Sequence, residues 1–220
     1  RSLTAGLLLP AVVAAFEQLS VATVLPAASR ELDGLSLYGW VFSAFMLAMV
    51  ISLPIGGGEV DSVGPWRPFL AGAALFGGGL GVAGFAPTMP AMIGGRVLQG
   101  FGAGLIASVL YATVDRAYPE EARPKMLALI SSAYTLPSLI GPAVAGFVAE
   151  HIGWRWVFLG LMPLLPLSAL ACQAMRGLDR TRTQPPEWAR VARSVRLALG
   201  VAITTLALER FSFDAENPWA

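Results

Sequence analysis

Charge is what this 220-residue chain has least of: only 13% of its residues are Asp, Glu, Lys or Arg, against roughly 25% in a soluble domain. That deficit excludes an ordinary water-soluble fold. The chain has one cysteine, Cys172, so an intrachain disulfide and a Cys-rich metal site are both excluded. One histidine, His151, leaves no His-pair zinc motif and a poor basis for triad chemistry. A net charge of +1 provides no broad basic face to neutralise phosphates, so nucleic acid is not an expected partner. No nucleophile, base and orienting group recur together, and no metal, cofactor or enzymatic activity is expected. Gly79, Gly81 and Gly84 match the dinucleotide fingerprint in letters, but they lie in an apolar run with no preceding strand and no acidic residue about 20 positions on.

What the chain does have is apolar length. Hydrophobic residues make up 55%, with 24 Gly and 16 Pro, and they fill continuous runs instead of one stripe of a helix. The runs cover residues 3–26, 37–58, 69–86, 89–114, 126–149 and 156–175. Each is long enough, at about 1.5 Å per residue, to cross a hydrocarbon core of about 30 Å. The expected fold class is therefore an all-α polytopic membrane protein with six spans, its partner solvent being the lipid bilayer. Lys and Arg favour cytoplasmic loops; with the N-terminus inside, eleven of the cations fall on that side, and only Arg30 and Arg155 on the other. This predicts a multi-pass protein of the cell membrane with a cytoplasmic N-terminus.

Residues 1–176 are expected to form one six-helix lobe. Residues 177–196, rich in arginine and carrying Pro185 and Pro186, read as a cytoplasmic linker. Residues 197–220 open with an apolar stretch too short to span, an interfacial segment or part of a seventh helix, and the chain begins without Met. The expectation is a piece of a longer protein.

Gly57, Asp61, Gly64 and Arg67 follow the second run; Gly146, Glu150, Gly153 and Arg155 follow the fifth. Both read Gly-x-x-x-acid-x-x-Gly with an Arg shortly beyond, each after a proline, Pro54 or Pro142. Residues 1–86 and 87–176 therefore look like two copies of one three-helix unit. An odd number of spans inverts the second copy in the membrane, as in many transporters.

Only two charged residues sit well inside the runs, Glu17 and Arg96. A charge at that depth costs about 2.5 to 3.5 kcal/mol on insertion scales and usually marks a pathway or a relay. Glu17 is the candidate proton carrier, because a low-dielectric interior favours a neutral carboxyl. Its plainer role would be to hold helices together. Arg96 keeps its proton and is suited to hold a carboxylate, a substrate anion or a carbonyl.

The run Arg96-Val-Leu-Gln99-Gly100-Phe-Gly102-Ala103-Gly104 resembles the helix-four motif of the major facilitator superfamily, Arg-x-x-Gln-Gly-x-Gly-x-Gly. Arg96, Gln99 and Gly100 share one helix face, and Gly100 with Gly104 form a small-xxx-small pair. Gly57, Asp61, Gly64 and Arg67 are expected in a loop and are similar to the superfamily's conformational-switch signature between helices two and three, although Ser62 and Pro65 stand where basic residues are expected. The resemblance implies a cytoplasmic charge network around Asp61, with Asp115, Arg116 and Arg123 as the candidates to complete it. Gly141, Pro142 and Gly146 resemble the antiporter motif of helix five, with Pro137 and Ala145 in place of two of its glycines. Glu17 through Leu25 and Pro26 is similar to the helix-one pattern of the fourteen-helix drug:proton antiporters, with Glu17 for Asp and Leu19 for Thr, and Gly153-Trp154-Arg155-Trp156 is typical of the same group.

The resemblance implies the N-terminal half of an exporter that exchanges amphipathic drug-like compounds for protons. The remaining partner would be a C-terminal half or a second copy of the chain. Glu17 and Arg96 would couple protons, while Met46, Tyr111 and Tyr134 are candidates to line the cavity for the small-molecule substrate, with Phe42, Phe45 and Met49 near Met46 on the same run. Two alternatives remain at this level: a transporter of a small metabolite, and a non-transporting half-transporter.

Overall fold

The computed structural model describes residues 2–180, and beyond them 192, 193, 195–197, 199, 200, 203 and 204. Most of the expected linker and tail lies outside the described residues. Within them the chain is helical and contains no strand: α1 (Ser2–Glu31), a 3-10 turn (Leu35–Leu37), α2 (Tyr38–Val63), α3 (Trp66–Gly84), α4 (Met89–Ala117), α5 (Arg123–His151), α6 (Arg155–Leu159), α7 (Leu164–Ala171) and a 3-10 segment (Cys172–Arg180).

Among the described residues, four segments are long and apolar enough to cross a membrane: Gly6–Glu31, Leu35–Val63, Met89–Ala117 and Arg123–His151. The 19 residues of α3 extend roughly 28 Å at about 1.5 Å each, close to a hydrocarbon thickness. The expected sixth span is not one helix. It breaks after Leu159, and the prolines explain where. Pro163 has no N–H for the Leu159 carbonyl, which accepts from Met162 at 3.2 Å instead. Pro166 likewise cannot serve the Met162 carbonyl, which takes the amide of Leu165 at 3.3 Å. Both bonds are three residues long, so the chain tightens into turns there before α7 begins.

The ends of α2 and α5 are set by glycine. Gly64 has φ 86° and Gly153 has φ 116°, and they are the two positive-φ glycines among the described residues. A side chain would be strained in either place.

The helices pair selectively. α4 lies between α2 and α3, while α1 lies against α5 and is covered on another side by α7. Glycines on α4 make the closest approaches. A Cβ on Gly100 would overlap the Phe45 backbone of α2, and one on Gly104 would lie 2.6 Å from the Met49 carbonyl. On the side towards α3, a Cβ on Gly95 would meet the Ala83 amide at 2.7 Å. Lipid is as apolar as Leu, so helices in a bilayer associate through this close packing. Phe69, Phe76, Leu80, Met92 and Leu110 fill the space between, all buried. Large apolar side chains such as Leu139, Phe85 and Phe147 cover the outside, as a bilayer requires.

Candidate functional site

Glu17 lies halfway along α1 and Arg96 two turns into α4. The structure brings them together in the interior, at 0% and 1% exposure. Arg96 Nη1 donates to Glu17 Oε1 and, at 2.7 Å, to Gln99 Oε1; its Nε donates to the Val41 carbonyl at 3.2 Å. The guanidinium also lies over the Phe45 ring, 4.2 Å from its centroid. Local sequence explains the arrangement. The i, i+3 spacing puts Gln99 beside Arg96, and the missing side chain at Gly100 lets α2 approach until Val41 and Phe45 reach the guanidinium.

A guanidinium in a dry interior needs acceptors and counter-charge. Arg96 finds them on three helices: α1, α2 and α4. Two buried atoms of the same cluster, Glu17 Oε2 and Gln99 Nε2, have no hydrogen-bond partner among the described residues. The carboxylate thus has one oxygen committed to Arg96 and one free to accept a proton. Protonation there would weaken the tie between α1 and α4, while Gln99 and Val41 would still hold Arg96.

α5 packs on α1 around Glu17. Where Gly141 lacks a Cβ, the Ser20 hydroxyl would be 3.2 Å away and the Phe16 carbonyl 3.3 Å. Ser20 Oγ donates to the Gly141 carbonyl at 3.4 Å. Pro142 has no N–H for the Ser138 carbonyl one turn earlier, which loosens α5 at this level. Gly146 is under no such constraint, with Thr23 3.7 Å from its would-be Cβ.

At the other end of the lobe, Asp61 is not in a loop; it belongs to the last turn of α2, which runs on to Val63. Arg116, in the last turn of α4, reaches it with Nη2 to Oδ1 at 3.1 Å. Arg123 does not join that pair. It binds Asp115 instead, at 2.9 Å to the carboxylate and 2.7 Å to the carbonyl, bridging the α4–α5 turn. Arg67 is exposed and forms no ion pair with a described residue, and the space around Gly57 is open. Of the residues expected around the α2–α3 joint, Asp61 carries the charge contact and Gly64 the turn.

A second cluster escaped the sequence reading. Glu31, the last residue of α1, accepts from Arg155 and, at 2.7 Å, from Trp154 Nε1. Arg155 also donates to the Ala86 carbonyl at 3.2 Å and stacks on Trp154, 4.4 Å from its ring centroid. The Gly-Trp-Arg-Trp motif was the available signal; nothing local points to Glu31 as its partner.

The candidate cavity residues are dispersed. Met46 on α2 is 44% exposed and Tyr111 on α4 is 56% exposed. Phe45 is buried against Arg96. Tyr134 lines a cleft of about 270 Å³ between α1 and α5, together with Ala15, Gln18, Leu19, Thr135 and Ser138. No group of three or more His, Cys, Asp or Glu among the described residues could hold a metal.

Residues 7–212 match the family model described as Major Facilitator Superfamily. Multidrug resistance protein 3 of Bacillus subtilis is 31% identical over 163 residues, 74% of this chain and 32% of that protein. The MFS efflux transporter aclA of Aspergillus oryzae is 33% identical over 159 residues, 72% of this chain and 29% of that protein. The chain thus spans about a third of the length of these curated relatives. Among solved structures, the proton:xylose symporter XylE bound to 6-bromo-6-deoxy-D-glucose superposes with a TM-score of 0.72 at 17% identity, covering 91% of this chain and 51% of that one. A peptide transporter, POT, gives 0.70 at 18% identity, covering 99% and 47%. At such identities these structures speak for the fold alone.

Proposed function

The chain belongs to the major facilitator superfamily, and from that premise we propose that it forms the N-terminal lobe of a cell-membrane exporter that exchanges amphipathic compounds for protons. The observation that carries this reading is the buried Glu17–Arg96 pair. It is a buried ionic link between the α1–α5 pair and the group of α2, α3 and α4, distinct from the exposed Arg123–Asp115 pair at the α4–α5 turn. A proton arriving at Glu17 Oε2 neutralises the carboxylate and weakens that link. Loss of the proton restores it. The change in charge thereby alters how two packed groups of helices are held, which is what coupling a proton to a conformational cycle requires. The relatives are named for multidrug resistance and efflux, which favours export of drug-like cargo.

The same reading includes inverted repeats of residues 1–86 and 87–176. Exchanging α1 with α4 and α2 with α5 turns the α2–α4 pairing into α5–α1, which is also one of the lobe's main pairings beside α3–α4. Gly64 and Gly153 occupy equivalent places in the two copies and share positive φ. The distribution of Lys and Arg favours a cytoplasmic N-terminus. In that orientation Asp61 and Arg116 lie on the cytoplasmic side, where their ion pair would hold α2 to α4 when that side is closed. Met46 and Tyr111, exposed on α2 and α4, remain candidates to face cargo.

The test is Glu17→Gln in the full-length transporter, assayed in inverted vesicles with an imposed pH gradient and tetraphenylphosphonium as the first probe. Gradient-driven uptake should fall at least about tenfold while probe binding persists. Full retention of gradient-driven uptake would end the proposal.

A further inference from the structure

The cluster at Glu31 has no part in the proton reading, yet its geometry bears on Glu17. Glu31 is the last residue of α1 and takes two donors from the chain that follows α5, Trp154 Nε1 at 2.7 Å and the Arg155 guanidinium. Both donors are themselves fixed. Trp154 is 4% exposed, with its ring edge-on to Phe158 at 6.1 Å between centroids. Arg155 stacks on Trp154 and donates to the Ala86 carbonyl, just beyond the end of α3, at 3.2 Å. α6, which Arg155 opens, lies close on α3 because Gly84 has no side chain; a Cβ there would be 2.6 Å from Leu159 Cδ2. The cluster therefore fastens the end of α1 to the end of α3.

That fastening completes a circuit of contacts. Arg96 is on α4, α4 packs on α3, the end of α3 is held at Ala86 by Arg155, and Arg155 holds Glu31. Glu31 stands 14 residues after Glu17. At about 1.5 Å and 100° per residue, that is about 21 Å along α1 and within about 40° of the same face. Fixing Glu31 thus fixes the height and the rotation of the face that carries Glu17. The helix between can transmit the constraint, since Val21, Val24, Leu25 and Ala28 are fully buried along it. Pro26 has no N–H for the Ala22 carbonyl, but its own carbonyl accepts from Ser29 Oγ at 3.3 Å and Arg30 Nε at 3.0 Å, which bind the last turn to the helix below. At its other end α1 meets α4 through one bond between uncharged hydroxyls, Thr4 and Tyr118 at 2.8 Å. With two donors, one of them charged, Glu31 is the firmer tie.

We propose that Glu31, Trp154 and Arg155 are positioning residues for the Glu17–Arg96 pair, a clamp that keeps α1 in register with α4 so that a carboxylate which has taken up and released a proton meets Arg96 again. The proposal rests on the proton-coupled reading above and deepens it. It also gives a task to Trp154 and Arg155 of the Gly-Trp-Arg-Trp motif, which the ion pair leaves unused. Protonation loosens α1 at mid-length, while the clamp, about four turns away, keeps its own charge contact.

The experiment uses inverted vesicles carrying the full-length transporter, with tetraphenylphosphonium as the probe. Trp154→Phe, which removes the N–H and keeps a ring, and Arg155→Leu should each lower gradient-driven uptake about three- to tenfold, while equilibrium exchange of the probe without a pH gradient and the melting temperature change little. Arg155→Lys keeps the charge without the planar fork and should recover part of the loss. In a Glu17→Gln background the same variants should add nothing further, because they act through one pair. Losses that multiply in that background, or exchange that falls in step with the melting temperature, overturn the assignment. A second measurement needs no gradient. Ser29, two residues before Glu31, is 0% exposed; Ser29→Cys, made together with Cys172→Ser, should resist maleimide and become reactive when Arg155→Leu is added. A cysteine that stays unreactive overturns the clamp. Full gradient-driven uptake in Glu17→Gln, with the cysteine at position 29 still exposed by Arg155→Leu, supports the clamp and overturns the proton coupling.

Discussion

Glu17 and Arg96 stand 79 positions apart in the chain and bind one another in the interior of the lobe, beneath the ring of Phe45 and beside the carbonyl of Val41. Each alone would be an expensive residue in an apolar helix. Together they join α1, which packs mainly on α5, to α4, which packs mainly on α2 and α3. The contact is thus a structural tie, and under the proposed function it is also the place where one proton would change that tie.

The two roles separate by mutation. Glu17→Ala leaves the Arg96 charge without its counter-ion and should destabilise the lobe by about 3–5 kcal/mol. Glu17→Gln keeps an oxygen for Arg96 and should cost much less, although it removes proton exchange. Thermal unfolding in detergent should rank the Ala variant well below the Gln variant. Equal losses would mean that the side-chain oxygen kept by Gln contributes nothing to holding Arg96 once the charge is gone.

Glycines on α4 should differ sharply in their tolerance. Gly104→Val places its Cβ 2.6 Å from the Met49 carbonyl and onto the Ser52 hydroxyl, so α2 and α4 must separate. Gly94 has nothing within 4 Å of a Cβ, and Gly94→Ala should be neutral or slightly stabilising. Size-exclusion profiles and melting temperatures of the two variants check this; similar behaviour would contradict the α2–α4 packing.

Asp61→Asn should barely alter stability. The carboxylate is 66% exposed, and exposed pairs contribute about 0–1 kcal/mol. If the pair holds the cytoplasmic side closed, the maximal transport rate and the accessibility of cytoplasmic-side cysteine probes should change while the melting temperature does not. A large drop in melting temperature with unaltered transport would assign the pair to stability instead.

Cys172 should resist maleimide in the folded protein and react after denaturation. Its side chain is 0% exposed, and its sulfur would lie 2.7 Å from a Cβ on Gly6. Rapid labelling under native conditions would mean that the 3-10 segment after α7 does not rest on α1.

Much of the architecture is legible from single residues and runs. The apolar runs locate α1 to α5, since a helix that satisfies its own backbone is what an apolar stretch of that length can form in lipid. Glu17 and Arg96 stand out by charge alone. The break in the sixth run is harder to read, because hydropathy continues through it; Pro163 and Pro166 carry the signal, and it lies in hydrogen bonding. Asp61 shows a related limit, as a polar residue at a helix end looks like a loop until Gly64 is recognised as the true terminus.

Composition and motif by themselves pointed to an α-helical membrane protein of the major facilitator superfamily, and to the two charges its interior contains. Only the tertiary structure decided who meets whom: Arg96 with Glu17, Arg116 with Asp61, Arg123 with Asp115, and Glu31 with Arg155. Periodicity assigns a residue to a face of its own helix, but an ion pair between helices depends on which faces adjoin and at what height, and that depends on glycine-mediated approaches contributed by distant parts of the chain.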